Sequence, residues 1–188
     1  PAIYIALTTI NQELVPDSLL ISLSVQRQTV PFPTLIEVLL LLSAFEILRE
    51  TDIRTPNVMG TAISVVGALV LGEAAVNAGI ISPIVVIIVS ITSISGLTFS
   101  DIDFINAIRL WRLLFIFTSA FLGIIGVTVS ILILIIKLVS MENYETPYLA
   151  PFSPFFLKEQ KDALYKAPTS KLKKRPFYLT KNRTRLGD

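Results

Sequence analysis

The sequence contains no cysteine and no histidine. The first absence excludes a disulfide, a thiolate nucleophile and a thiolate-bound metal. The second excludes an imidazole general base, a Ser-His-Asp triad and His-ligated zinc within the chain. Charge is scarce as well: 16% of the 188 residues are Asp, Glu, Lys or Arg, against about 25% in an ordinary soluble domain. A phosphate-cradling loop is also missing. Gly67-xxxx-Gly72-Glu73 has the spacing of one, but the Lys-Ser/Thr pair that does the chemistry is not there. Asp101 and Asp103 form a carboxylate pair in a short loop, a pattern too common to indicate hydrolysis. No catalytic residue, metal ligand or cofactor is expected, and the chain does not read as an enzyme.

What is present is apolar. Hydrophobic residues make up 53% of the chain and the mean hydropathy is +0.71. The few charges are unevenly placed, with 6 Lys/Arg and 9 Asp/Glu in residues 1–140 but 10 Lys/Arg and 5 Asp/Glu in residues 141–188. This split predicts a membrane helical domain over 1–140 and a Pro/Lys-rich tail over 141–188. The opening Pro1-Ala-Ile-Tyr-Ile-Ala-Leu7 reads as the end of a longer hydrophobic span, so the chain is expected to be a C-terminal piece. The basic flank of a signal peptide is lacking.

Leu113–Ile136 is the clearest span: 24 residues without a formal charge, 17 of them Leu, Ile, Val or Phe. On an insertion scale these sum to about −5 to −10 kcal/mol. Residues 60–80 are long enough to cross but carry only 8 Leu, Ile or Val, roughly −2 to −5 kcal/mol. A central carboxylate costs about 2.5–3.5 kcal/mol. Insertion is then near break-even, and Glu73 must face protein or water. Ser82-Pro83 reads as an N-cap followed by proline at the first helical position. The β-branched run 84–97 is expected to be a short helix, because an isolated strand leaves its backbone unsatisfied in hydrocarbon.

Thr34–Leu48 is another apolar stretch, entered through Pro31 and Pro33, interrupted by Glu37 and Glu46 and ended by Pro56. Residues 11–30 read as an interfacial connector with a helix start at Pro16-Asp17-Ser18. The fold class expected is therefore all-α: a polytopic membrane bundle of about three to five spans or re-entrant helices with an extended basic tail. The positive-inside rule puts that tail on the cytoplasmic side, and parity across one crossing puts Arg109 and Arg112 near the opposite face.

Gly60, Ser64, Ala68 and Gly72 recur every four residues as a ridge of small side chains, suited to close helix packing within or between subunits. Glu73 and Asn77 share a face, and an ionisable group in such a segment is a functional candidate. These two, with Glu37, are candidates for a polar cation path, and an apolar ring of Val66, Leu69 and Val70 could gate it by dewetting. A hydrogen-bonded structural glutamate is the alternative. Glu46 with Arg49 suits an interfacial ion pair. Arg109, Trp111 and Arg112 suit a membrane-boundary anchor. The tail could meet anionic lipid, whereas its aromatics lie among prolines and form no stacking motif, so nucleic acid is not an expected partner.

Longer ordered strings carry a resemblance. Val30-Pro-Phe-Pro-Thr-Leu-Ile-Glu37, Phe45-Glu-Ile-Leu-Arg-Glu50, Ile53-Arg-Thr-Pro56 and the run from Gly60 through Glu73 and Asn77 to Pro83 resemble the A subunit of the GerA-type spore germinant receptors. Arg109-Leu-Trp-Arg112 and Pro147-Tyr-Leu-Ala-Pro151 extend it, so the likeness covers roughly residues 1–176. Asn11 stands where that family tends to have a histidine.

The resemblance implies an integral protein of the spore inner membrane, acting with a transporter-like B subunit and a lipoprotein C subunit. It implies homo-oligomers forming a ring that conducts cations when germinant binds. The alternative is a non-conducting membrane scaffold, or a paralogue linked to the dipicolinate-channel proteins, that organises germination complexes.

Overall fold

Prolines fix where the helices begin. Proline is pre-set for the first helical turn, where its missing N–H would have had no intrahelical partner. After α1 (Ala2–Thr9), Pro16 precedes α2 (Asp17–Arg27), Pro33 precedes α3 (Thr34–Arg54), and Pro83 opens α5 (Pro83–Gly96). The structure, a computed structural model, describes residues 1–54, 67–68, 70–96, 98–99, 101–143 and 146–155. Helical residues 67–68 and 70–77 form α4, and Ile102–Val139 forms α6. The chain divides into two compact units, Pro1–Ser130 and Ile131–Asp188.

In the first unit the core is built by rows of side chains at helical spacing. Val38, Leu41 and Leu42 of α3 meet Ile81 and, on α5, Val85 and Val89; Ile5 of α1 and Ile116 of α6 close the cluster. This burial holds 84–96 as helix despite its β-branched content, with its backbone bonded within the element; Leu97 lies outside the described residues. α4 ends at Gly79, whose φ of 67° lets it donate to the Val76 carbonyl while Ile80 donates to Ala75, a Schellman closure. α6 starts on Asp101, whose carboxylate accepts from the amides of Asp103 and Phe104 at 2.9 and 3.3 Å. Asp101 is thus a helix cap.

Hydroxyls inside these helices donate to their own helix. Thr9 bonds the Ile5 carbonyl at 2.6 Å, Ser43 bonds Leu39 at 2.8 Å, and Thr92 bonds Ile88 at 2.7 Å. This satisfies a polar group without water. Among the described residues one helical run, Asp103–Val139, is long and apolar enough by length and composition to cross a membrane, although its backbone breaks at Gly123. Its most apolar stretch has a mean hydropathy of 2.7 and is only 22% buried inside the protein. The core helix of a soluble protein would be mostly covered, so this exposed apolar surface suits hydrocarbon. α5, at 14 residues, reaches about 21 Å, short of a core about 30 Å thick.

The expected uninterrupted span Leu113–Ile136 is corrected by the backbone. Gly123 sits at φ 62°, ψ −141°, outside helical values. The Thr118 and Ser130 hydroxyl oxygens are 2.7 Å apart, whereas a continuous helix would separate those residues by about 18 Å. The chain therefore turns back on itself at Gly123. α6 has two arms, residues 102–122 and 124–139, and the reversal lies within the first unit. A side chain at Gly126 would overlap the Thr118 carbonyl oxygen and lie 2.6 Å from its carbon, so the facing segments touch backbone to backbone. The parity argument that put Arg109 and Arg112 opposite the tail assumed one crossing, and it loses that premise.

In the second unit, β1 (Glu142–Asn143) pairs antiparallel with β2 (Thr146–Pro147), Glu142 opposite Pro147. Turns follow to Phe155. The basic run 171–175 lies outside the described residues.

Candidate functional site

Two polar centres stand out in the first unit. The first forms around Glu37, whose side chain is fully buried on α3. Its Oε2 accepts from the Ser82 backbone amide at 2.9 Å and from the Ser82 hydroxyl at 2.8 Å. Arg27, at the end of α2, holds its guanidinium 3.6 Å from Oε1. The Tyr4 hydroxyl is buried beside them. Ser82 precedes Pro83, so the carboxylate receives the free amide and the positive end of α5. One side chain thereby ties α2, α3 and α5 together. Glu37 points into the protein, so a place on a cation path would require this clasp to open.

The second centre is a cavity of about 940 Å³ among α3, α4, α5 and the first arm of α6. On its wall Glu46 is bracketed by two arginines: Arg109 pairs with Oε1, and Arg112 with Oε2 at 3.2 Å. Spaced three apart, the arginines share one face of α6. The expected boundary anchor needs both heads free for headgroups; instead both are drawn inward onto one carboxylate. Glu46 pairs with Arg109 and Arg112, while Arg49 lines the same cavity and has no ion-pair partner among the described residues.

Glu73 and Asn77 are both exposed on one face of α4, with Val70 57% exposed beside them. Glu73 also lines the cavity. Among the described residues it has no hydrogen-bond or ion-pair partner. Of the small-residue ridge, Gly72 is buried, a side chain there meeting Val86 of α5 at 3.5 Å, and Ala68 lines the cavity. Gly60, Ser64, Val66 and Leu69 lie outside the described residues. No group of His, Cys, Asp and Glu that could hold a metal occurs among the described residues.

Asn11 has a part that sequence patterning missed. Its Oδ1 accepts from the Ile124 amide at 2.9 Å, capping the second arm of α6 just after the reversal. The Asn11 amide also donates to Glu13 at 3.2 Å. The Glu13 carboxyl is held below its usual range, first by its own backbone amide and then by Asn11. Asparagine's placement just beyond a helix end was the available signal. Its partner lies 113 residues away.

The family described as Bacillus/Clostridium GerA spore germination protein matches residues 1–178. Spore germination protein KA of Bacillus subtilis (strain 168) is 43% identical over 181 residues, covering 96% of this chain and 33% of that protein. The uncharacterized membrane protein YfkQ of the same organism is 40% identical over 176 residues, covering 94% of this chain and 34% of that protein. Spore germination protein GerLA of Bacillus cereus is 38% identical over 185 residues, covering 98% of this chain and 38% of that protein. The chain thus spans about a third of the length of these relatives. No solved structure matches it.

Proposed function

Because the chain belongs to the GerA family of spore germination proteins, we propose that it is the membrane domain of a nutrient germinant-receptor A subunit. In this reading it resides in the spore inner membrane with its basic tail in the spore core. Copies assemble with one another, with a transporter-like B subunit and with a lipoprotein C subunit. The assembly opens a cation-conducting pore when nutrient binds, and its work is conduction rather than catalysis.

The observation that carries this reading is Glu73. An exposed carboxylate on a small-residue helix, unpartnered among the described residues, costs about 2.5–3.5 kcal/mol against acyl chains. Facing its own copies around an aqueous path removes that cost and supplies the negative field a cation needs. Asn77 on the same face adds a neutral ligand, and Val70, with Val66 and Leu69, supplies the apolar constriction. Glu37 stays in its clasp while the pore is shut.

Glu73→Gln tests this in spores. Early release of monovalent cations after nutrient addition is expected to fall roughly tenfold, the scale of removing a fixed charge from a narrow path. Receptor assembly should be unchanged on native gels. Normal cation release with Glu73→Gln and Glu73→Ala contradicts conduction through this face. Loss of assembly without any other defect favours the scaffold.

A further inference from the structure

The cavity beside α4 has a composition that points to an occupant. At about 940 Å³ it falls within the range of small-molecule sites. Leu42, Phe45, Val86 and Ile105 furnish apolar walls, and five charged residues line it: Arg49, Arg109 and Arg112 against Glu46 and Glu73. Glu46 serves two arginines at once, and Arg49 has no ion-pair partner among the described residues. Among the described lining residues, positive charge therefore exceeds negative by one. Gly96 lies directly against that guanidinium: a methyl group there would touch Arg49 Nη1 at 3.6 Å.

The rim decides what kind of anion fits. Ile91, Ile94 and Ile108 line the cavity yet are 60%, 65% and 39% exposed. The opening is thus edged by aliphatic side chains, and an occupant entering there needs an apolar part. A free phosphate or a small soluble carboxylate would leave these walls in water. We propose that the cavity holds an anionic phospholipid, its phosphate on Arg49 beside the Arg109–Glu46–Arg112 cluster and an acyl chain along Phe45, Val86 and Ile94. Arginine's planar fork suits phosphate oxygens, and basic pockets between membrane helices are recurrent headgroup sites. The bound lipid supplies negative charge toward Arg49, with its acyl chain kept to the Phe45, Val86 and Ile94 wall and away from Glu73.

Native mass spectrometry of the full-length protein, carried in micelles with defined lipid added, reads this directly. Phosphatidylglycerol is expected to be retained in preference to phosphatidylcholine. Arg49→Gln should lower its retention about fivefold, the loss of one arginine's attraction at a membrane surface, and Arg49→Lys should lower it less. Gly96→Leu crowds the guanidinium without changing charge, and should lower retention with Arg49 intact. It also serves should Arg49→Gln fold poorly. Equal retention of the two lipids, or retention unchanged in both Arg49→Gln and Gly96→Leu, would overturn the proposal. So would displacement of phosphatidylglycerol by millimolar inorganic phosphate, which would make the site one for a free anion.

Discussion

Thr118→Cys combined with Ser130→Cys should form a disulfide in nearly every molecule under mild oxidation. The two hydroxyl oxygens lie 2.7 Å apart, and the chain carries no other cysteine to compete. A bridge needs Cα atoms within about 7 Å, and an unbroken helix would hold these positions about 18 Å apart. The outcome is close to all or none. A gel-shift assay after peptide cleavage between the two sites reads it, and no bridge would mean that the apolar run crosses as one helix. Gly126→Val should then reduce the yield sharply, because its side chain collides with the Thr118 carbonyl and forces the arms apart. Overpacking of this kind costs about 1–3 kcal/mol.

The second large effect is expected at Glu37. Glu37→Ala leaves the Arg27 guanidinium beside an empty pocket and removes the acceptor for both donors of Ser82. Removing one member of a buried pair costs about 3–5 kcal/mol. Arg27 keeps some exposure, at 25%, so the lower end of that range is expected. Glu37→Gln retains an acceptor for Ser82 and loses only the attraction to Arg27; its cost should be about 1–2 kcal/mol. Thermal melts of the purified protein in detergent separate the two. Equal melting temperatures for wild type and Glu37→Ala would show that the clasp contributes nothing. A Glu37→Gln variant as unstable as Glu37→Ala would show that charge, rather than hydrogen bonding, holds it.

These two sites differ in how far they could be read from the residues. The helix starts at Pro16, Pro33 and Pro83 were legible because proline acts locally, through its own φ and its missing N–H. The helical state of 84–96 was legible from the solvent: hydrocarbon offers no partner for a strand's backbone. The reversal at Gly123 was not. Glycine is common in membrane helices, and neither hydropathy nor periodicity changes across residues 113–136. What marks the reversal is the facing of Thr118 with Ser130 and of Gly126 with the Thr118 carbonyl, contacts that exist only once the chain has folded back. Glu37 could be singled out as an ionisable group in an apolar stretch. Its partner Ser82 is 45 residues away, and no local rule joins them. The same holds for Arg112 and Glu46, 66 residues apart; sequence proximity suggested Arg49 as the partner of Glu46, whereas the fold brought α6.

These 188 residues carry no cysteine, so a thiol placed among them tests the conduction claim at a single atom, with the unsubstituted receptor as the labelling control. Glu73→Cys introduces one thiol on the exposed face of α4, and a membrane-impermeant, positively charged thiosulfonate then adds a fixed cation there. The account predicts that nutrient-triggered potassium flux through the reconstituted Glu73→Cys receptor, already roughly tenfold below that of the unsubstituted receptor, stops upon labelling and returns to that lower level upon reduction. Flux that continues undiminished through receptors labelled to completion at this position would contradict it.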